Sequence, residues 1–208
     1  MMRGFRAFHL LPFVAAAALA PSPAHAHLVD IRFGDFYGGA LHLLTGLQYG
    51  LLLLALALFA GLHTPLKARW MLLAAPLGIG LGAAAALAFP GPQVTLWLTG
   101  ALALLGVGTA LQLRSSAPVL FALGTAIAAL LGYENGLAMT DQTDTLLFIS
   151  GLIGAAVVVV WLLTAVVARL STRAAWVRIG FRTIGSWIAA VAIILMAFSV
   201  SGTPAVAG

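Results

Sequence analysis

The side chains of this chain that could bind a cation form two groups. The first group is His27, Asp30 and Asp35, which lie close together near the start of the chain. If processing makes His27 the N-terminal residue, its α-amine and imidazole can chelate a divalent cation, and the two aspartates add oxygen donors. The segment therefore predicts a metal-binding site; the alternative is that the histidine occurs there by chance.

The second group lies within long apolar runs. His42, Gln48 and Tyr49 fall in the first run, and Glu134 with Asn135 falls in a later one. An ionisable side chain inside a membrane costs about 2.5 kcal/mol or more, so it usually faces a bundle interior and serves a pathway. Glu134 is the strongest candidate, against the alternative that it only bonds a neighbouring helix or reaches the membrane surface. For His42, the alternative is a histidine that caps the first helix.

The composition places these residues in a membrane protein. The 208 residues are 62% hydrophobic and 7% charged, and the mean hydropathy is +1.11. A globule of this length cannot bury so much apolar surface, so lipid must be the solvent. The isoelectric point near 10.8 is explained by basic loops and does not indicate nucleic-acid binding. The absence of cysteine excludes disulfides, thiolate ligands and cysteine nucleophiles.

Residues 1–26 predict a cleavable signal peptide. Arg3 and Arg6 form a basic start, residues 10–20 form an apolar core, and residues 24–26 form an Ala-His-Ala cleavage site. The apolar core is short compared with the about 20 residues of a transmembrane helix. This disfavours the alternative of an uncleaved first span, and we expect residues 27–208 to form the mature domain.

The mature chain predicts an all-α membrane protein, a bundle of six transmembrane helices after the signal peptide. Its apolar runs are each close to the about 20 residues that cross a bilayer, and they leave no room for a soluble domain. The predicted spans are about 38–62, 69–89, 94–113, 117–139, 145–168 and 176–200. Glycines within the spans, such as Gly132 and Gly136, predict close packing of neighbouring helices.

Charge divides the breaks between these spans into two sides. The breaks after the first, third and fifth spans carry basic residues, whereas the other two carry none. Because basic loops remain in the cytoplasm, we expect a protein of the inner (cytoplasmic) membrane with both mature termini in the periplasm. All five carboxylates then lie on the outer side, where they would attract cations, and Arg32 is the one basic exception there.

Three stretches resemble the HupE/UreJ family. They are residues 42–49 (His-Leu-Leu-Thr-Gly-Leu-Gln-Tyr), 132–136 (Gly-Tyr-Glu-Asn-Gly) and 182–188 (Arg-Thr-Ile-Gly-Ser-Trp-Ile). Members of that family are small six-span proteins associated with hydrogenase and urease gene clusters and regarded as nickel or cobalt permeases. The resemblance covers essentially the whole mature chain in order and spacing. It implies a permease whose metal is a transported substrate, with no resident cofactor.

The first metal motif of the family is incomplete in this chain. That motif is His-Pro-x-x-Gly-x-Asp-His. His42 and Gly46 match it, whereas Leu43, Gln48 and Tyr49 replace the proline, the aspartate and the second histidine. Nickel favours imidazole and carboxylate donors, so these replacements imply weaker binding.

The second motif, His-Gly-x-x-His-Gly-x-Glu, keeps only its glycines. Leu131 and Asn135 replace the histidines, and Ala138 replaces the glutamate. Glu134 precedes Ala138 by four residues, which places it on the same helix face one turn away. The carboxylate is thus displaced rather than lost.

Two functions remain open. One is uptake of a divalent metal cation such as nickel or cobalt through a site formed by His42, Gln48, Tyr49 and Glu134. The other is a non-transporting accessory or scaffold protein that has lost the metal site and supports a membrane or periplasmic metalloprotein. We do not expect an enzyme. A bis-histidine haem needs a second intramembrane histidine, and a rhomboid-like protease needs a G-x-S-x-G motif followed by a histidine.

Overall fold

The computed structural model describes residues 27–200 of the protein, with side chains for residues 34–199. The predicted signal peptide and the side chains of His27 and Asp30 lie outside the described part. Within it the regular elements are α1 (His27–Thr45), α2 (Leu47–Gly61), α3 (Pro65–Ala68), α4 (Met71–Ala88), α5 (Thr95–Ala110), α6 (Ala117–Gly136), α7 (Thr145–Ser171) and α8 (Ala175–Val200).

Several of these helices are long and apolar enough to cross a membrane. Four stretches qualify among residues 27–200, namely Pro65–Ala88, Ala117–Gly136, Thr145–Ser171 and Ala175–Ser199, and a fifth is added if α1 and α2 form one broken span. Helix α5 has 16 residues and is about 24 Å long, which is less than the hydrocarbon thickness of about 30 Å. The chain is therefore a multi-pass membrane protein, and its residues 27–200 are all-helical with four or five clear spans where the sequence predicts six.

The first predicted span, 38–62, consists of two helices that meet at a sharp bend. Gly34–Thr45 and Leu47–Gly61 are inclined at 76° to each other. Gly46 separates them with an extended backbone (φ −68°, ψ 109°), and a Cβ on Gly46 would collide with the Tyr49 ring. The apolar run continues through this point, so its hydropathy does not reveal the change of direction.

Helix α2 occupies the centre of the bundle. Most of its residues from Leu52 to Gly61 are buried, as expected for a helix that is apolar on every side. Around it, the most extensive helix pairs are α4 with α6, α5 with α8 and α1 with α7, and α2 contacts α5 and α7. The side chains of the candidate site described below belong to these helices or to the connections between them.

Glycines allow the closest helix approaches. A Cβ on Gly82 of α4 would overlap the carbonyl oxygen of Ala129 on α6, and a Cβ on Gly132 would overlap the carbonyl oxygen of Ile79. The backbones of α4 and α6 are thus in direct contact, as the small residues of these spans predict.

The two ends of the bundle carry opposite charges. At the basic end, the Lys67 ammonium donates to the Ser115 carbonyl oxygen at 2.9 Å, and residues 62–65, 114, 168, 171–175 and 178 surround one cavity. At the acidic end, the backbone N–H of Asp144 donates to the Asp35 carboxylate at 2.5 Å, and the Glu134 carboxylate bonds the start of α5. The connections between helices that the sequence assigns to the same side of the membrane therefore lie at the same end of the bundle.

His63 is held as a neutral ring at the basic end. Its Nδ1 is 2.8 Å from the Phe59 carbonyl oxygen, and the Ser115 backbone N–H donates to its Nε2 at 3.0 Å. These partners require a proton on Nδ1 and a lone pair on Nε2. Burial lowers the pKa of His63, and the charges of Lys67 and Arg114 lower it further, against an opposing effect of the bond to Phe59.

We expect substitution at Gly82 to destabilise the bundle. Gly82→Ala must push α4 and α6 apart and should cost about 1–3 kcal/mol. Gly100→Ala is the matched control, because no atom lies within 4 Å of the Cβ position there and alanine favours a helix by about 1 kcal/mol. Melting temperatures in detergent test this: Gly82→Ala should melt lower and Gly100→Ala should not. Equal melting temperatures would contradict the close contact.

The lowered pKa of His63 makes the folded state sensitive to acid. In the unfolded chain this histidine binds a proton near the ordinary pKa of about 6.5, whereas the folded chain resists protonation. The contribution of His63 to the free energy of unfolding is therefore lost as the pH falls below about 6.5 and is constant above it. We expect the melting temperature to fall between about pH 7 and pH 5 and the fall to be shallower in His63→Gln. Identical profiles would show that His63 does not titrate with unfolding.

Candidate functional site

Glu134 lies at the centre of the polar contacts of the acidic end. Its side chain is 8% exposed. Its Oε2 accepts the backbone N–H of Val94 at 2.6 Å, and its Oε1 accepts the Thr95 hydroxyl at 2.7 Å. Both carboxylate oxygens therefore have donors, and both donors come from the first residues of a different helix.

The start of α5 suits a carboxylate. The first backbone N–H groups of a helix have no partner within it, and the helix dipole gives this end a partial positive charge. Val94 precedes α5 and makes no side-chain cap. Glu134 on α6 supplies an acceptor that the capping residue itself lacks, so the same contact stabilises the carboxylate and satisfies the backbone N–H of Val94.

Gln48 extends this contact to the first predicted motif. Its amide nitrogen Nε2 donates to the Thr99 hydroxyl at 2.8 Å and lies 3.3 Å from the Thr95 carbonyl oxygen. The Thr99 hydroxyl in turn donates to the same carbonyl at 2.8 Å. A continuous chain of polar contacts thus joins Gln48 on α2 to Glu134 on α6 across the first turn of α5.

Tyr49 and His42 lie beside this chain of contacts. The two rings are 6.1 Å apart between centroids, on either side of the bend at Gly46. Tyr49 directly follows Gln48, whose amide belongs to the network. The ring of His42 also packs 6.2 Å from that of Phe148 on α7. The bend therefore brings an imidazole and a phenol to the region that contains Glu134.

The other predicted ligands have different surroundings. Asp35 accepts the backbone N–H of Asp144, whose own side chain caps the start of α7 through Leu147. Asn135 is fully buried; its Nδ2 donates to the Leu131 carbonyl oxygen at 2.8 Å, and its Oδ1 has no hydrogen-bond partner in the described part of the chain. The side chains of His27 and Asp30 lie outside that part.

The histidine and carboxylate side chains that the structure describes are not gathered into one cluster. Among the described residues there is no group of three or more histidine, aspartate or glutamate side chains placed to hold a metal ion. The network instead joins one carboxylate to two hydroxyls and an amide. Such a set of oxygen donors with one imidazole nearby can attract a cation and bind it loosely.

Sequence reasoning missed Thr95 and Thr99. Both are placed on one face of α5, four residues apart, and they follow the break at Pro90 and Pro92. A pair of threonines in the first two turns of an apolar helix is a usable signal, because hydroxyls there either bond the backbone of the helix or bond another polar side chain.

The motif around Glu134 also positions the connection between α4 and α5. The Tyr133 hydroxyl donates to the Phe89 carbonyl oxygen at 3.2 Å, at the end of α4, while Glu134 bonds the residues just before and at the start of α5. Two consecutive residues of α6 thereby hold both ends of this connection.

Comparison with protein families identifies one match. The family model described as HupE / UreJ protein matches residues 15–195, which includes all of the network and nearly all of the described helices. Comparison with curated proteins and comparison with solved structures found no match.

We expect loss of the Glu134 carboxylate to loosen the start of α5. Glu134→Ala leaves the Val94 N–H and the Thr95 hydroxyl without their partner, at a cost of about 1–3 kcal/mol. Glu134→Gln retains an acceptor oxygen and should lose less. Asp141→Ala is the control, since Asp141 is an exposed acid of the same end. The melting temperature should therefore be highest for Asp141→Ala, lower for Glu134→Gln and lowest for Glu134→Ala. A melting temperature for Glu134→Ala equal to that of the control would exclude the capping role.

Proposed function

The chain belongs to the HupE/UreJ family, and we propose that it is a permease-like protein that takes up a divalent metal cation such as nickel or cobalt. The observation that carries this proposal is the network from Gln48 through Thr95 and Thr99 to Glu134. It joins, at the acidic end, the segments in which the two metal motifs of the family fall.

The proposed topology has six crossings in the inner membrane. The bent pair α1 and α2 makes the first crossing, and the short helix α5 makes the third. With the signal peptide of residues 1–26 removed, both mature termini are periplasmic. The segregation of charge supports this orientation, because the basic breaks converge at one end and basic loops remain in the cytoplasm.

In this proposal the acidic end collects the cation and the network receives it. The carboxylates of Asp30 and Asp35, with His27, raise the local cation concentration at the outer surface. Glu134 supplies the charge inside the bundle, and His42, Gln48, Tyr49 and Asn135 supply imidazole, amide and phenol groups near it. A loose donor set suits transport, since a transported ion must leave its site as readily as it enters.

Uptake of radiolabelled metal tests the proposal. Cells that express the protein should accumulate nickel or cobalt faster than cells with an empty vector. Glu134→Gln should abolish this excess, because it removes the charge and keeps an acceptor oxygen for the start of α5. Asp141→Asn, which removes a charge from the exposed loop of the same end, should keep most of it. Equal uptake with and without the wild-type protein would reject the permease.

A second candidate is a non-transporting accessory protein for a metalloenzyme system. It is favoured by the use of both Glu134 oxygens in capping α5 and by the lack of a three-ligand group among the described residues. It predicts no uptake and co-purification of a stoichiometric membrane or periplasmic metalloprotein under mild detergent. Uptake by the wild type that is lost in Glu134→Gln would count against it. Neither candidate is an enzyme.

A further inference from the structure

The basic end contains a cavity whose residues the transport proposal does not use. Its volume is about 610 Å³, and its walls come from the end of α2 and the start of α3, the connection before α6, and the connection between α7 and α8. Three arginines line it, Arg114, Arg173 and Arg178. They are brought together from the connection between α5 and α6, the connection between α7 and α8, and the first turn of α8.

These three arginines differ from most other basic residues of this end. Lys67 donates to the Ser115 carbonyl oxygen, Arg69 stacks on the Trp70 ring at 5.9 Å, and Arg182 donates to the Ala110 carbonyl oxygen at 2.8 Å. The guanidinium groups of the cavity arginines have no hydrogen-bond or ion-pair partner within residues 34–199. Three of the described acids, Asp35, Asp144 and Glu134, accept hydrogen bonds at the opposite end.

The positive-inside rule explains why basic residues occur at this end but not why three of them line one cavity. Like charges repel each other, so guanidinium groups gathered around a concave surface favour an anion between them. Helix α8 begins at the cavity wall, since Ala174 and Ala175 line it, and its positive dipole end adds to the same potential. The hydroxyl-bearing residues Thr64 and Thr172 also line the wall.

Exposed tryptophans at the same end of the bundle indicate the level of the cavity relative to the membrane. Trp176, which follows Ala175, is 74% exposed, and Trp70 of the same end is 38% exposed. Exposed tryptophans are enriched at the level of lipid headgroups. Basic pockets between transmembrane helices at this level bind the headgroups of anionic lipids.

We propose that this cavity binds a phosphate group, and that its occupant is the headgroup of an anionic phospholipid. The planar fork of an arginine matches phosphate oxygens in pairs, and three such forks can hold one phosphodiester. A bound lipid would hold together the ends of α2, α5 and α7 with the start of α8. This site lies at the end of the bundle opposite to the Glu134 network.

Native mass spectrometry of the full chain in detergent tests the site. The wild type should retain phosphatidylglycerol in preference to phosphatidylcholine with the same acyl chains. The triple variant R114Q/R173Q/R178Q should bind phosphatidylglycerol roughly 100-fold more weakly, from the contribution of each arginine near a membrane surface. Arg169→Gln is the matched control, because Arg169 is an exposed arginine of the last turn of α7 that does not line the cavity, and it should bind as the wild type does.

Inorganic phosphate separates the two possible sources of the group. If phosphate binds the wild type but not the triple variant, and the two lipids bind equally, the site takes a soluble phosphate compound instead of a lipid. Equal retention of both lipids with no effect of phosphate would overturn the proposal, as would wild-type lipid affinity in the triple variant. If the triple variant is not monodisperse, the single variants decide: each should bind phosphatidylglycerol roughly fivefold more weakly, and unchanged affinity in all three would overturn the site.

Discussion

The contact between the Glu134 carboxylate and the first residues of α5 holds the functional end of this protein together. Helix α5 has 16 residues and is shorter than the hydrocarbon thickness, so unsatisfied backbone groups at its ends would be costly if it crosses the membrane. Glu134 accepts the Val94 N–H at one end, and Arg182 donates to the Ala110 carbonyl at the other. An acid from α6 and a base from α8 thus complement the two ends of the α5 dipole. Gln48, Tyr49 and the bend at Gly46 are arranged around the first of these ends.

Much of the fold can be predicted from the sequence, because membrane spans are long apolar runs and hydropathy detects such runs. The runs predicted at 117–139, 145–168 and 176–200 correspond to α6, α7 and α8 within a few residues. The convergence of basic breaks at one end is also predictable, because the positive-inside rule acts on charge alone. The close contact of α4 with α6 follows from glycines spaced at one turn.

The features that define the candidate site are less accessible from the sequence. The chain turns by 76° between α1 and α2 without any change in its apolar composition. Glycine at position 46 does not reveal the turn, because glycine is compatible with both a bend and a packed helix. The partner of Glu134 is a backbone N–H 40 residues earlier, and any residue at position 94 other than proline presents one. The resemblance to a family indicates which positions matter, but Gln48 occupies one of them and Glu134 lies one turn away from another. The packing of α5 determines the contacts of both side chains.

The capping role of Glu134 does not exclude cation handling. Its donors in the structure, a backbone N–H and a hydroxyl, are neutral groups, so they stabilise the carboxylate without cancelling its net charge. No arginine or lysine among the described residues forms an ion pair with it, and the basic residues of residues 34–199 lie towards the other end. The same carboxylate can therefore stabilise the start of α5 and still attract a cation from the acidic end. At the basic end the arrangement is reversed, because there the unpaired charges are positive and line a cavity. Opposite ends of one bundle thus present fixed charges of opposite sign, and each end is suited to a ligand of the complementary charge.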